Sequence, residues 1–237
     1  MSGSPPGSTR LLLFDIDGTL LLSNGQAGRL FTGCLSEVYG VEAPWQGYDF
    51  GGKTDPQIVF ELMAGAGLER AAVAERLPAM RRLYLERLEA GLERAQMTLM
   101  PGVLELLTSL EGREEVHLGL LTGNWEPGAR TKLGRFDLNR FFGFGAFGED
   151  GPDRPDLVPA ALTRAAERCG RVFAADETLI IGDTVHDVTC AKAHGVPVLA
   201  VATSSTPAER LAAAGADWVA PTLREATRLV PVLAGLG

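Results

Sequence analysis

The sequence predicts an α/β protein: a doubly wound parallel, Rossmann-like sheet into which a helical segment is inserted. Short apolar runs typical of strands buried on both faces alternate with helical patterns. One long interval breaks that alternation, because it contains helical patterns and no convincing buried strand. The composition, 46% hydrophobic and 22% charged over 237 residues, is ordinary for a globular chain long enough for one large domain or a core with an insert.

The predicted strands begin with LLLF at residues 11–14, which is apolar at every position. The others are VHLGLLT (116–122), FFGFGAF (141–147), TLIIGD (178–183), VPVLAVA (196–202) and the weaker ADWVA (216–220). Helical patterns between them cover 102–110, 127–136, 157–170, 187–195 and 207–215. Pro101 is expected in the first turn of its helix, a position that tolerates proline. This alternation predicts a sheet covered by helices on both faces.

The interval that lacks strands covers residues 23–98 and predicts a helical insertion. Its helical segments lie near 26–39, 55–66 and 69–96, and Pro78 is expected to break or kink the last of them. The predicted organisation is therefore a polar, disordered tail at 1–9, an α/β core at 10–22 and 99–237, and a helical domain at 23–98.

Charge and cysteine content argue against several classes of partner. The net charge of −8 and the pI near 5.0 leave no basic face for nucleic acid or a membrane surface. No apolar run reaches the roughly 18 residues that a membrane span needs, and the first residues lack the apolar stretch of a signal peptide. Cys34, Cys169 and Cys190 are widely spaced without CxxC, which argues against disulfides and zinc and favours the cytoplasm.

Polar clusters follow the ends of the predicted strands, where sites form in open parallel sheets. Each has an ordinary explanation on its own: an Asx turn, a helix cap or a solvated surface charge. The clusters are Asp15-Ile-Asp17-Gly-Thr, Thr122-Gly123-Asn124, Arg154 in a loop before a helix, and the Asp183 and Asp187 of GDTVHD. Three carboxylates gathered at one sheet edge need a cation, and Mg²⁺ prefers such oxygen ligands. The hydroxyl, the backbone amides and the guanidinium indicate a negatively charged substrate group, such as a phosphoryl group.

The order DxDGT, hydrophobic-TGN, a basic residue before proline, then GDTxxD resembles the haloacid dehalogenase superfamily over essentially the whole chain. The insertion at 23–98 looks like that family's helical cap, as in its phosphatase branch of phosphoglycolate phosphatase-like and β-phosphoglucomutase-like proteins. The resemblance implies that Asp15 is the nucleophile that forms an aspartyl-phosphate. It implies that Asp17 is the general acid/base, with its main-chain carbonyl on the metal.

The resemblance also implies that Asp15, Asp17, Asp183 and Asp187 make up a Mg²⁺ site, with Asp187 either ligating the ion or orienting the other groups. Thr122, Gly123 and Asn124 would hold phosphoryl oxygens. Arg154 stands where the family more often has lysine, and its guanidinium would neutralise charge on the nucleophile and the transferring group. Lys132 is the nearest lysine in sequence, but it falls inside a helical pattern and is expected to be badly placed.

Lys53, in GGKTDPQ, lies in a glycine-rich loop of the insertion. We expect it to contact the substrate, and the alternative is a solvated loop charge. One branch of the family uses a cap lysine to form a Schiff base with a phosphonate substrate. That branch lacks the second aspartate of the first motif, which is present here as Asp17. Thr54 and Asp55 are expected to cap the helix that follows.

The leading functional hypothesis is a Mg²⁺-dependent phosphatase that hydrolyses a small phosphorylated metabolite, acting as a monomer or a homodimer. A phosphomutase on the same scaffold shares the chemistry up to the aspartyl-phosphate and differs only in the acceptor. A 2-haloacid dehalogenase would need neither a metal nor Asp17, so metal dependence separates it from a phosphatase. A non-catalytic binding module would bind ligand without turnover.

Overall fold

A computed structural model describes the chain over residues 10–233, and its side chains over residues 10–230. The predicted tail at 1–9 lies outside the described residues. Six parallel strands form the central sheet in the order β5-β4-β1-β6-β7-β8, which confirms the predicted fold class. The strands are Arg10–Phe14 (β1), Val116–Leu121 (β4), Gly145–Ala146 (β5), Thr178–Gly182 (β6), Val198–Val201 (β7) and Trp218–Ala220 (β8), with Leu21–Leu22 (β2) and Thr98–Leu99 (β3) forming a separate pair.

Helices cover both faces of this sheet. Their bounds are Gln26–Tyr39 (α1), Asp55–Gly65 (α2), Arg70–Gly91 (α3), Val103–Leu110 (α4), Glu126–Gly134 (α5), Leu157–Cys169 (α6), Val185–Ala193 (α7), Ala208–Ala213 (α8) and Leu223–Leu233 (α9). The alternating side chains of β1 enter two separate cores: Leu12 and Phe14 pack with α4, α5 and α9, whereas Leu11 and Leu13 pack with α6, α7 and α8. Burial on both faces is why β1 is apolar throughout.

The register of the central strands decides where the polar clusters meet. Phe14, the last residue of β1, lies opposite Leu120 of β4 on one side and Ile181 of β6 on the other. The chain therefore leaves all three strands at the same edge of the sheet, the edge at which sites form in parallel sheets.

The segment that contains α1, α2 and α3 begins after β2 and ends before β3. Because β2 and β3 pair antiparallel, the chain leaves the sheet domain and returns to it at neighbouring positions. Helix α3 continues through Pro78, so the predicted break does not occur. Its buried residues Val73, Met80 and Tyr84 lie on both sides of the proline, and their packing offsets the lost backbone hydrogen bond. The helix ends at Gly91, five residues before the predicted end.

Two further expectations differ from the structure. Only Gly145–Ala146 of the predicted strand at 141–147 joins the sheet, and Leu138–Phe141 forms a 3₁₀ turn. The phenylalanines of the predicted segment pack into the hydrophobic core instead of extending a strand. Pro101 lies before α4, whose N-cap Gly102 has φ of 88°. A side chain at Gly102 would collide with the backbone at Arg224, so the chain needs glycine where it passes α9.

Candidate active site

The carboxylates of Asp15, Asp183 and Asp187 converge at the edge where β1, β4 and β6 end. Asp15 follows β1, Asp183 follows β6, and Asp187 lies in the first turn of α7. One oxygen of each lies within 4.8 Å of the others, and all three side chains are buried. Among the residues that the structure describes, this is the one acidic cluster with the spacing of a metal site.

Arg154, which we expect from the sequence to neutralise charge on Asp15, lies against this cluster. Its Nη2 lies 2.8 Å from Asp15 Oδ1 and 2.5 Å from Asp187 Oδ1. The turn that carries it is fixed by a capping box between Asp153 and Asp156. Its Nε is buried without a hydrogen-bond partner among the described residues, so the guanidinium has a donor left for an anion.

Hydrogen bonds hold the other two carboxylates in place. Asp187 Oδ2 accepts from the backbone N–H of Thr184 at 3.0 Å and from its hydroxyl at 2.7 Å, so both of its oxygens are occupied once Arg154 is counted. Asp183 Oδ1 accepts from the hydroxyl of Thr19 at 2.9 Å. Gly18 lies so close that a Cβ there would be 2.3 Å from Asp183, and its φ is +93°. Glycine in DxDGT therefore makes room for the carboxylate.

Burial disfavours negative charge at Asp15 and Asp183. It raises the pKa of Asp15 to about 6, because desolvation and the charge of Asp187 outweigh the opposing effect of Arg154. Desolvation, together with Asp15 and Asp187, raises the pKa of Asp183 well above its usual value. Burial would lower the pKa of Arg154, but Asp187 and Asp15 raise it. The three carboxylates lie close together, and Arg154 alone does not balance their negative charge. Such a set of oxygen ligands suits a hard divalent cation such as Mg²⁺.

Asp17 points to a different set of partners. Lys132 Nζ lies 2.8 Å and 2.6 Å from the two carboxylate oxygens of Asp17 and donates at 2.6 Å to Asn124 Oδ1. Asn124 Nδ2 donates to Asp17 Oδ2 at 2.8 Å and to the hydroxyl of Thr122 at 2.7 Å. Asp17, Thr122, Asn124 and Lys132 thus form one network beside the acidic cluster.

Lys132 does not take the place of Arg154 beside Asp15, but it does belong to the site through its contact with Asp17, which the expectation that it is badly placed did not foresee. Lys132 is buried and lies seven residues after Trp125, the N-cap of α5. Its side chain, which points back toward the start of the helix over about two turns, reaches Asn124 Oδ1. That spacing was the available signal. Thr19 and Thr184, which hold Asp183 and Asp187, were also missed, because a threonine in a turn carries no signal of its own.

The helical insertion contacts the turn that follows β4. The backbone N–H of Asp55 donates to the Gly123 carbonyl at 2.7 Å, and the N–H of Trp125 donates to Asp55 Oδ2 at 2.8 Å. A side chain at Gly123 would collide with the carbonyl of Lys53, so glycine is required there as well. Thr54 caps α2 as predicted, with its hydroxyl accepting from Gln57 N–H at 3.2 Å.

Lys53 lines the same cavity as Asp15 and Asp17, a space of about 510 Å³ between the sheet edge and the inserted helices. Its Nζ lies 2.5 Å from Glu61 Oε2 and 4.2 Å from the centre of the Tyr48 ring. The structure therefore brings Lys53 to the cavity with its charge already paired.

None of the described helices is both long enough and apolar enough to cross a membrane.

Comparisons with known proteins identify the family of this chain. A family model for haloacid dehalogenase-like hydrolases matches residues 12–201. The phosphoglycolate phosphatase of Pseudomonas syringae pv. tomato is 29% identical over 231 residues, which cover 94% of this chain and 79% of that protein.

Two solved structures share the fold. A hydrolase from Pseudomonas syringae has a TM-score of 0.68 at 23% identity, covering 95% of this chain and 99% of its own. CbbY from Rhodobacter sphaeroides, solved in complex with phosphate, has a TM-score of 0.67 at 19% identity, covering 92% and 96%. The chain therefore belongs to the haloacid dehalogenase-like hydrolase family and is an enzyme of its phosphatase type.

Proposed function

We propose that this enzyme is a Mg²⁺-dependent phosphatase that hydrolyses a small-molecule phosphate monoester through an aspartyl-phosphate on Asp15. The observation that carries the proposal is the separation of the two carboxylates of DxDGT. Asp15 lies buried beside Arg154, Asp183 and Asp187, whereas Asp17 lies in a network of its own with Lys132 and Asn124. This separation supports a nucleophile at Asp15 and a proton donor and acceptor at Asp17.

In the first step an Asp15 oxygen attacks phosphorus, and the bond from phosphorus to the ester oxygen breaks. Asp17 gives that oxygen a proton as the alcohol leaves. In the second step Asp17 takes a proton from a water that attacks the aspartyl-phosphate, which releases inorganic phosphate and restores Asp15. Arg154 neutralises charge on Asp15 and on the transferring group.

Asp15 and Asp183 would hold the Mg²⁺, with the main-chain carbonyl of Asp17. The ion would supply positive charge that lets the carboxylates and the phosphoryl group share one site. Because both oxygens of Asp187 are already hydrogen-bonded, we assign Asp187 to orienting Arg154 and the N-terminus of α7. Thr122 and the backbone N–H groups of Gly123 and Asn124 would hold the phosphoryl oxygens.

We further propose that residues 23–98 act as a cap domain over a core of 10–22 and 99–237. A cap that closes the cavity excludes bulk water and selects small substrates. Lys53 would contact the part of the substrate beyond the phosphoryl group, giving up its pairing with Glu61. The three cysteines form no disulfide among the described residues, which supports a cytoplasmic location. The enzyme would act as a monomer or a homodimer.

The substrate class follows from the relatives and the cavity. The relative from Pseudomonas syringae makes 2-phosphoglycolate the first ester to test. The cavity has space beyond a two-carbon leaving group, and Phe31, Ile58 and Tyr84 supply an apolar wall. The test panel should therefore extend to hexose phosphates and nucleoside monophosphates.

The test is release of inorganic phosphate from this panel with Mg²⁺, with a chelator, and by the Asp15→Asn variant with Mg²⁺. We expect release that requires the metal and falls at least about a thousandfold in the variant. No release from any ester by the folded enzyme would contradict hydrolysis. Transfer between positions of a sugar phosphate without release would indicate a mutase, and metal-independent halide release from a 2-haloacid would indicate a dehalogenase.

A further inference from the structure

We propose that Asp55 is a positioning residue that links the helical insertion to the phosphate-binding turn at 122–125, so that docking of the insertion sets the position of the acid/base Asp17. This inference deepens the proposed function and rests on it for the role of Asp17. The contact itself does not depend on that role.

The docking contact is reciprocal. Asp55 donates its backbone N–H to the Gly123 carbonyl and accepts the N–H of Trp125 on its side chain. These bonds hold the turn on both sides of Asn124. The hydroxyl of Thr54 also donates to the carbonyl of Pro152, which precedes the Arg154 turn. Two adjacent residues of the insertion therefore contact both polar loops that surround Asp15.

The path from Asp55 to Asp17 is short. Asn124 lies between the two residues that Asp55 contacts, and its side chain bonds to Asp17, Thr122 and Lys132. A shift of the turn would move Asn124 and with it the hydrogen bond that fixes Asp17. It would also move the backbone N–H groups that are placed to hold phosphoryl oxygens.

Capping of α2 alone does not account for Asp55, because burying a carboxylate is energetically unfavourable. Its side chain is buried, and the charge of Lys132 favours its ionised form whereas those of Asp17 and Glu149 oppose it. Burial raises the pKa of Asp55 to about 7, so its charged form is disfavoured in place. Thr54 already caps α2, so the helix does not require this carboxylate. The contact with Trp125 is what the carboxylate adds.

The experiment compares Asp55→Ala and Asp55→Asn with the wild type and with Asp217→Asn. Asp217 is a matched control, because its carboxylate also accepts a backbone N–H at 2.8 Å, from Val198, but lies at the amino ends of β7 and β8, opposite the site. The measurements are kcat and KM with Mg²⁺ and the best ester, affinity for inorganic phosphate, and amide hydrogen exchange resolved along the chain.

We expect Asp55→Ala to lower kcat at least about tenfold and to weaken phosphate binding severalfold. Exchange should rise in 122–126 and 53–55 while the sheet strands stay protected. Asp55→Asn, which keeps an acceptor for Trp125, should recover most of the loss, and Asp217→Asn should leave all three readouts within twofold. If the alanine variant does not fold, Asp55→Ser, whose hydroxyl is too short to reach Trp125, takes its place.

Two results would overturn the proposal: wild-type kcat and phosphate affinity in the folded variant, or an exchange increase spread evenly over the core. If the wild type releases no phosphate, the proposed function fails, but phosphate affinity and local exchange still decide the role of Asp55.

Discussion

Two carboxylate–cation pairs in the site differ in their exposure to solvent. In the Asp15–Arg154 pair both side chains are almost fully buried, at 6% and 4% exposed. In the Asp17–Lys132 pair the lysine is equally buried, but the Asp17 side chain is 39% exposed. Two aspartates that stand two residues apart in DxDGT therefore occupy different electrostatic environments.

The difference suits the two chemical roles that we propose for this short motif. Arg154 is the buried cation that offsets the cost of burying the charge of Asp15. Asp17 opens onto the cavity, where a proton can be exchanged with substrate or water, and Lys132 and Asn124 fix its direction. The first environment favours a group that stays in place during attack, and the second favours a proton donor and acceptor.

The largest effect is expected from Asp17→Asn. The amide can still accept from Lys132, but it cannot give or take a proton, so kcat should fall about 10²- to 10⁴-fold. Because the substitution leaves the buried Lys132 without its counter-charge, the free energy of unfolding should also fall, by about 1–3 kcal/mol. Kinetics with an alkyl and an aryl phosphate check this, since an aryl leaving group needs less proton donation. Equal losses for both esters would contradict the acid role.

Arg154→Met breaks the buried pair. It leaves Asp15 and Asp187 without a partner, so the free energy of unfolding should fall by about 3–5 kcal/mol in urea without Mg²⁺. Arg154→Lys is the matched control. It keeps one charge but has fewer donors, so the bonds that Arg154 gives to the carbonyls of Gly52 and Leu121 are lost and its loss should be intermediate. A methionine variant as stable as the wild type would show that the pair contributes little.

Lys132→Met breaks the half-exposed pair with a smaller structural cost. Asp17 can turn to water, so we expect a loss of about 1–2 kcal/mol in stability. The fall in kcat should be about 10- to 100-fold, because Asp17 and Asn124 lose their common donor. Lys192→Met serves as the control, because Lys192 pairs with Asp217 at the surface. Unchanged kcat would place Lys132 outside the proton-transfer step.

The smallest effect concerns pH. The pKa of Asp55 is about 7 in the folded protein, above its usual value of 3.8. Between these values the folded state binds more protons than the unfolded state, so this group's contribution to stability falls as pH rises toward 7. Asp55→Asn removes that contribution. The decrease in Tm between pH 5 and pH 8 should therefore be smaller in Asp55→Asn than in the wild type, and equal decreases would contradict the raised pKa.

The sequence by itself determined the sheet and the edge at which the site lies. Apolar strands followed by polar residues predict both, because strand burial and the carboxyl-end rule act locally along the chain. The convergence of Asp15, Thr122 and Asp183 follows from that pattern alone, and so does the presence of Arg154 before α6. Helices α1 and α2 were also predicted closely, because Thr54 and the apolar spacing mark them.

Only the tertiary structure decided that Lys132 serves Asp17 and that Asp55 joins the insertion to the turn after β4. Lys132 returns to Asp17 because α5 turns twice before it, and Asp55 reaches Trp125 because the insertion folds back over β4. Packing likewise carries α3 through Pro78 and keeps most of 141–147 out of the sheet. These outcomes depend on contacts between residues distant in sequence, and local propensity carries no information about such contacts.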